Sequence, residues 1–152
     1  MFHLVRRFFG YVLARPLSPS EQQQVQSALS PQLCELFFSQ APQDQRHAIQ
    51  VLERVSSNDP ALAEAALLHD IGKRGLRIGA VERSLATVAG ATSMPMPERW
   101  RRYLDHGAAG GDLLESAGAG NLAIAFARFH PGPVPEGIDD EVWALLTAAD
   151  DA

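Results

Sequence analysis

Cysteine is nearly absent from this chain. A single one, Cys34, stands among 152 residues, which excludes an internal disulfide and a cysteine-only zinc site and points to a reducing, cytoplasmic compartment. No apolar run approaches the ~20 residues needed to cross a bilayer. Sustained two-residue alternation of apolar and polar side chains, the mark of a half-buried strand, is missing as well. Basic charge is in deficit, with 13 Lys and Arg against 18 Asp and Glu. That balance argues against the basic surface that double-stranded nucleic acid requires. With 46% apolar and 20% charged residues, disorder, a collagen-like chain and a long coiled coil are poor fits. At ~100–200 residues per domain, the length is that of one main core.

What the chain does contain is a series of helix starts. Ser18 and Glu21 bracket Pro19 and Ser20 as a capping box, in which the Ser18 hydroxyl takes an amide and Glu21 reaches back. Ser30 with Pro31, Pro42, and Asp59 with Pro60 open further helices in the same way. Pro95 and Pro97 precede a helix near Glu98 to Asp105, and Asp139 and Asp140 can cap the last one. The stretch from Pro131 to Gly137 is a loop. The expected fold is all-α, with about seven to nine helices. Residues 1–40 form an N-terminal helical leader that packs on the core, and residues 41–152 carry the chemistry.

Within the leader, Phe2, Val5, Phe8, Phe9, Val12 and Leu13 share one side of a helix, opposite His3, Arg6, Arg7 and Gly10. The two arginines interrupt what would be the apolar centre of a signal peptide. The expected role is docking on the domain or on a second copy, giving a homodimer. The alternative is weak membrane-surface contact through residues 1–14, since basic residues opposite aromatics suit an anionic interface.

Four of the five histidines, His47, His69, His106 and His130, lie from residue 47 onward, and Asp70 directly follows His69. Imidazole and carboxylate together suit divalent ions such as Mn, Fe, Mg or Zn, and a helical bundle can aim them at one point. The run from Ala61 to Lys73 is an apolar helix ending in His69, Asp70 and then Gly72. Leu67, Leu68 and Ile71 place that end near the core, where an ionised Asp is costly unless paired or bound to metal. Gly72 permits a sharp exit, and Lys73 adds a cation. The same residues also describe a plain helix C-terminus with Gly as stop signal and Lys as end charge.

Leu68-His-Asp-Ile-Gly-Lys73 resembles the signature of the HD-domain metal-dependent phosphohydrolases, the superfamily that includes the HD-GYP cyclic dinucleotide phosphodiesterases. His47 lies where that family has its first histidine. His106, ahead of a helix of small residues, resembles the third, and His130 the fourth. Asp150 resembles the closing aspartate, with Asp151 the alternative acid. The resemblance covers roughly residues 42 to 151. It implies an HD-like helical bundle with one or two divalent metal ions. His47, His69, Asp70 and Asp150 would hold one ion, and His106 and His130 would help hold a second, with Asp70 bridging. Asp70 and Lys73 would be the catalytic residues. Lys73, assisted by Arg46, Arg74 and Arg128, would bind a phosphate oxygen of a small phosphoester.

The implied activity is hydrolysis of a phosphate mono- or diester, nucleotide-like, by metal-activated water. The alternatives are an HD-fold di-iron oxygenase and a non-catalytic module that binds a nucleotide or a protein. Departures from the family are Phe129 in place of a histidine before His130, and the lack of a Gly-Tyr-Pro motif. Only two residues follow Asp150, so that position is expected to fray.

Overall fold

The structure is a computed structural model that describes residues 15–76, 80–92 and 94–152. Among the described residues every regular element is helical. These are α1 (Pro19–Ala28), α2 (Pro31–Phe38), α3 (Pro42–Val55), α4 (Pro60–Leu68), a 3-10 turn (Ile71–Lys73), α5 (Ala80–Ala91), α6 (Glu98–Leu104), α7 (His106–Ser116), α8 (Asn121–Phe129) and α9 (Asp140–Asp151). None of these helices is long and apolar enough to cross a membrane. The leader face at residues 1–14 and the segment 77–79 lie outside the described residues.

The helices begin where short polar side chains and proline dictate. The Ser18 hydroxyl accepts from the Glu21 amide at 3.3 Å, and the Glu21 carboxylate takes the Ser18 amide at 2.6 Å. Proline fills the first turn of α1, α2, α3 and α4, where no helical hydrogen bond is lost. Asp139 caps α9 by accepting from the amides of Glu141 and Val142 at 2.9 and 3.0 Å. Asp140 is the first residue inside that helix.

One apolar cluster runs through most of the chain. Phe37, Leu67, Leu68, Ile71, Leu114, Phe126 and Leu146 are all fully enclosed, and Trp143 meets Phe126 edge to face at 5.1 Å. Burying each such side chain contributes roughly 1.5–3 kcal/mol. Leu17, Val25, Leu29 and Leu33 belong to the same cluster, so residues 15–40 pack on the later helices.

Close backbone contact fixes the ends of several helices. A Cβ on Gly72 would lie 2.0 Å from the His106 carbonyl oxygen and 2.9 Å from the Gly110 amide nitrogen. A Cβ on Gly107 would lie 2.6 Å from the Arg128 carbonyl oxygen. Backbone therefore packs on backbone across the 3-10 turn, α7 and α8, and glycine is required by close approach rather than by a sharp exit. At the far end of the chain, the expected fraying of Asp150 is not what the structure shows. Arg54 of α3 donates to the Ala149 carbonyl at 2.9 Å, and Ala149 and Asp150 are both buried.

Candidate metal centre

Six titratable side chains from widely separated positions meet beside the apolar cluster. His47 projects from α3, next to buried Ala48 and Ile49. His69 ends α4, and Asp70 precedes the 3-10 turn. His106 opens α7, His130 follows α8, and Asp150 lies in the last turn of α9. His69, Asp70 and Asp150 are buried. The neighbouring acid Asp151 is exposed, so Asp150 is the member of the cluster.

The two carboxylates organise the group. Asp150 receives His47 Nε2 on Oδ1 at 2.6 Å and His130 Nε2 on Oδ2 at 2.8 Å. Asp70 receives the Lys73 ammonium on Oδ2 at 2.6 Å and lies 3.2 Å from His106 Nε2 through Oδ1. His69 stands between them, its Nε2 3.5 Å from Asp70 Oδ2 and 3.4 Å from Asp150 Oδ1. His106 and His130 thus lean on different carboxylates, whereas the sequence pattern paired them around Asp70.

The electrostatics follow from this geometry. Burial raises the pKa of Asp70, but Lys73, His69 and His106 outweigh it and hold the carboxyl well below the usual range. Burial likewise acts on Asp150 and is overcome by hydrogen bonds from His130 and His47 and by the nearby His69, so its pKa is lowered too. Lys73 loses hydration, which alone would lower its pKa, yet the adjacent Asp70 keeps it raised and charged. For His69 the desolvation is outweighed by Asp70 and Asp150, and its pKa is raised.

The tautomer of His69 is decisive for what the cluster can hold. Its Nδ1–H donates to the Ala66 carbonyl at 2.9 Å, which uses the single proton of a neutral ring. Among the described residues the buried Nε2 has no hydrogen-bond partner, and it faces two carboxylates. A lone pair directed at two anions needs a second proton or a cation between them. A metal-ligating histidine commonly gives its other N–H to a carbonyl in this manner. His47, His69 and Asp70 each offer a ligand atom within 4.8 Å of one another, and nitrogen with carboxylate oxygen suits first-row divalent ions. These residues could hold a metal ion.

The arginines expected at the phosphate have other partners. Arg46 is bound to the Glu21 carboxylate and to the carbonyls of Arg15 and Pro16, tying α3 to the segment before α1. Arg128 pairs with Asp112 at 2.6 Å and Glu115 at 3.1 Å on α7. Arg74 reaches the Ser39 hydroxyl at 3.4 Å. Arg46 and Arg128, expected at the substrate, are thus engaged with carboxylates of the chain itself. Each is a sequence neighbour of a site histidine, but successive helical side chains point ~100° apart.

Sequence reasoning also passed over two contributors. Tyr103 supplies the carbonyl that accepts the His106 Nδ1–H at 2.7 Å, and its ring lies 5.6 Å from the Lys73 ammonium. Asp44, one turn before His47, is fully buried and adds its negative charge to the surroundings of Lys73. Its spacing from His47 was the available signal.

The chain matches no family model, no curated protein and no solved structure.

Proposed function

We propose that this chain is a divalent-metal-dependent phosphohydrolase with an HD-domain-like helical bundle, acting on a small, nucleotide-like phosphate mono- or diester. The observation that supports the reading is the meeting of His47, His69, Asp70 and Asp150, from three distant stretches of sequence, around a His69 Nε2 that makes no hydrogen bond among the described residues. They stand in the order in which the HD pattern carries its ligands. A divalent cation held there would neutralise phosphate charge and lower the pKa of water toward neutrality.

The chain's own residues supply the rest. Ionised Asp70 and Asp150 provide the anionic donors, and the Ala66 carbonyl holds the His69 ring with Nε2 inward. Lys73, on Asp70 and partly exposed at 15%, keeps its charge and is placed to take a nonbridging phosphate oxygen as charge redistributes. In this reading the protein works in the reducing cytoplasm that a single cysteine suits.

Elemental analysis of natively purified protein tests the proposal, together with assays on a phosphoester panel with Mn2+ or Mg2+. Bound metal and hydrolysis in the wild type, both lost in His69→Ala and Asp70→Ala, are the expected result. Metal retained at full stoichiometry in both variants would overturn it. Iron with oxygen-consuming turnover would favour the oxygenase alternative, and nucleotide binding without hydrolysis a non-catalytic module.

A further inference from the structure

His69, His106 and His130 bring the same chemical group to the cluster, but their second ring nitrogens are treated differently. His69 Nδ1 and His106 Nδ1 each donate to the carbonyl three residues earlier, at 2.9 and 2.7 Å. Both rings therefore carry their proton on Nδ1 and turn an Nε2 lone pair toward the carboxylates. His130 Nδ1 is buried and has no hydrogen-bond partner. Its ring is 9% exposed and packs on Phe126 at 4.5 Å between centroids. Among the described residues no acceptor receives a proton placed on that nitrogen.

A neutral imidazole has one proton, and a carboxylate can only accept. In His130 the proton belongs on Nε2, donated to Asp150 Oδ2 at 2.8 Å. For Nε2 to bind a metal ion, the proton would have to move to Nδ1, leaving a buried N–H unsatisfied at a cost of ~1–3 kcal/mol. His47 also contacts Asp150 through Nε2, but its side chain is 18% exposed, so water can take its Nδ1–H.

On the metal reading proposed for this cluster, we infer that His130 is a positioning residue and not a metal ligand. It donates Nε2–H to the outer oxygen of Asp150, directs Oδ1 toward His47 and His69, and leaves the centre with a single ion. Without His130, a second ion would find only His106 and one oxygen of Asp70 among these side chains. The role matches the general one of outer hydrogen-bond partners, whose loss weakens metal affinity ~10–100-fold without removing a ligand.

The test is calorimetric titration of the metal-free full chain with Mn2+ alone, supported by elemental analysis and by circular dichroism to confirm folding. The wild type should bind one ion. His130→Ala should still bind one, with affinity weakened ~10–100-fold, and His130→Gln, which returns an N–H donor, should recover most of the loss. Two ions in the wild type would overturn the inference whether or not the variants fold. So would an unchanged affinity in His130→Ala, or the loss of an ion that His130→Gln fails to restore. A wild type that binds no ion would overturn the metal reading itself, and this inference with it, a result distinct from a count of two.

Discussion

The cluster of histidines and carboxylates has two unlike borders. On one side, α4, α8 and α9 present side chains sealed on all faces: Leu67, Leu68, Phe126 and Leu146 have no exposed surface. On the other, Ala86 and Ala89 are the buried apolar residues of the α5–α6 hairpin among those described, and neither joins the main apolar cluster. Val81, Leu85 and Val88 recur along α5 at 61%, 50% and 53% exposure, on the face turned from the core. The hairpin nevertheless leads into His106, whose ring it steadies through the Tyr103 carbonyl. Asp150 and His69 are therefore held by tertiary packing, whereas His106 depends on a local hydrogen bond and on α7 lying flat against the 3-10 turn. The stiff border suits groups that must keep a fixed geometry, and the lightly packed one is where local opening is cheapest.

Substitutions along this gradient should separate the two borders. The largest loss is expected for Phe126→Ala, which removes a ring in contact with His130, His69 and Trp143. Urea unfolding should show ~3–5 kcal/mol of lost stability. Gly72→Ala sits at the seam between the borders and should cost ~1–3 kcal/mol in the same measurement, because the new methyl group meets α7 backbone that cannot give way. A near-neutral result there would mean that α7 is held as loosely as the hairpin.

A smaller, pH-dependent effect belongs to Glu21, whose pKa is lowered to about 2, chiefly by its hydrogen bond from Arg46 and then by the Ser18 amide. A depressed carboxyl pKa means stability fully present above the ordinary value of 4.5 and lost as pH falls from there through about 2. The stability gap between wild type and Glu21→Gln should therefore be open at pH 6 and close over that window, as read by unfolding curves at stepped pH. The smallest effect is expected for Val88→Ser on the exposed face of α5, within ~0.5 kcal/mol of wild type. A loss several times larger would show that this face is covered in solution.

The sequence made the helix starts readable because each depends on a few adjacent residues: a capping hydroxyl or carboxylate, then proline or glutamate. The meeting of His47, His69, Asp70, His106, His130 and Asp150 is an expectation carried by the resemblance to the HD pattern, in which such residues stand in the same order. What the sequence did not disclose is set by geometry between elements. Gly72 looked like a turn residue, and its need comes from the His106 carbonyl, brought close by α7. Arg46 and Arg128 were drawn toward the site by sequence proximity, but the helix turns their side chains to Glu21, Asp112 and Glu115. The division of His106 and His130 between two carboxylates depends on where α8 ends relative to α9, which no local pattern encodes.

The contact between His47 and Asp150 spans 103 positions, and Arg54 fastens the same two helices a short way along. Drawing together groups so distant incurs a chain-closure entropy that only a nearly completed tertiary structure offsets. Proximity of these two residues is therefore a built-in reporter of finished folding, and a donor–acceptor dye pair placed on α3 and α9 would register maturation of the whole molecule in one signal.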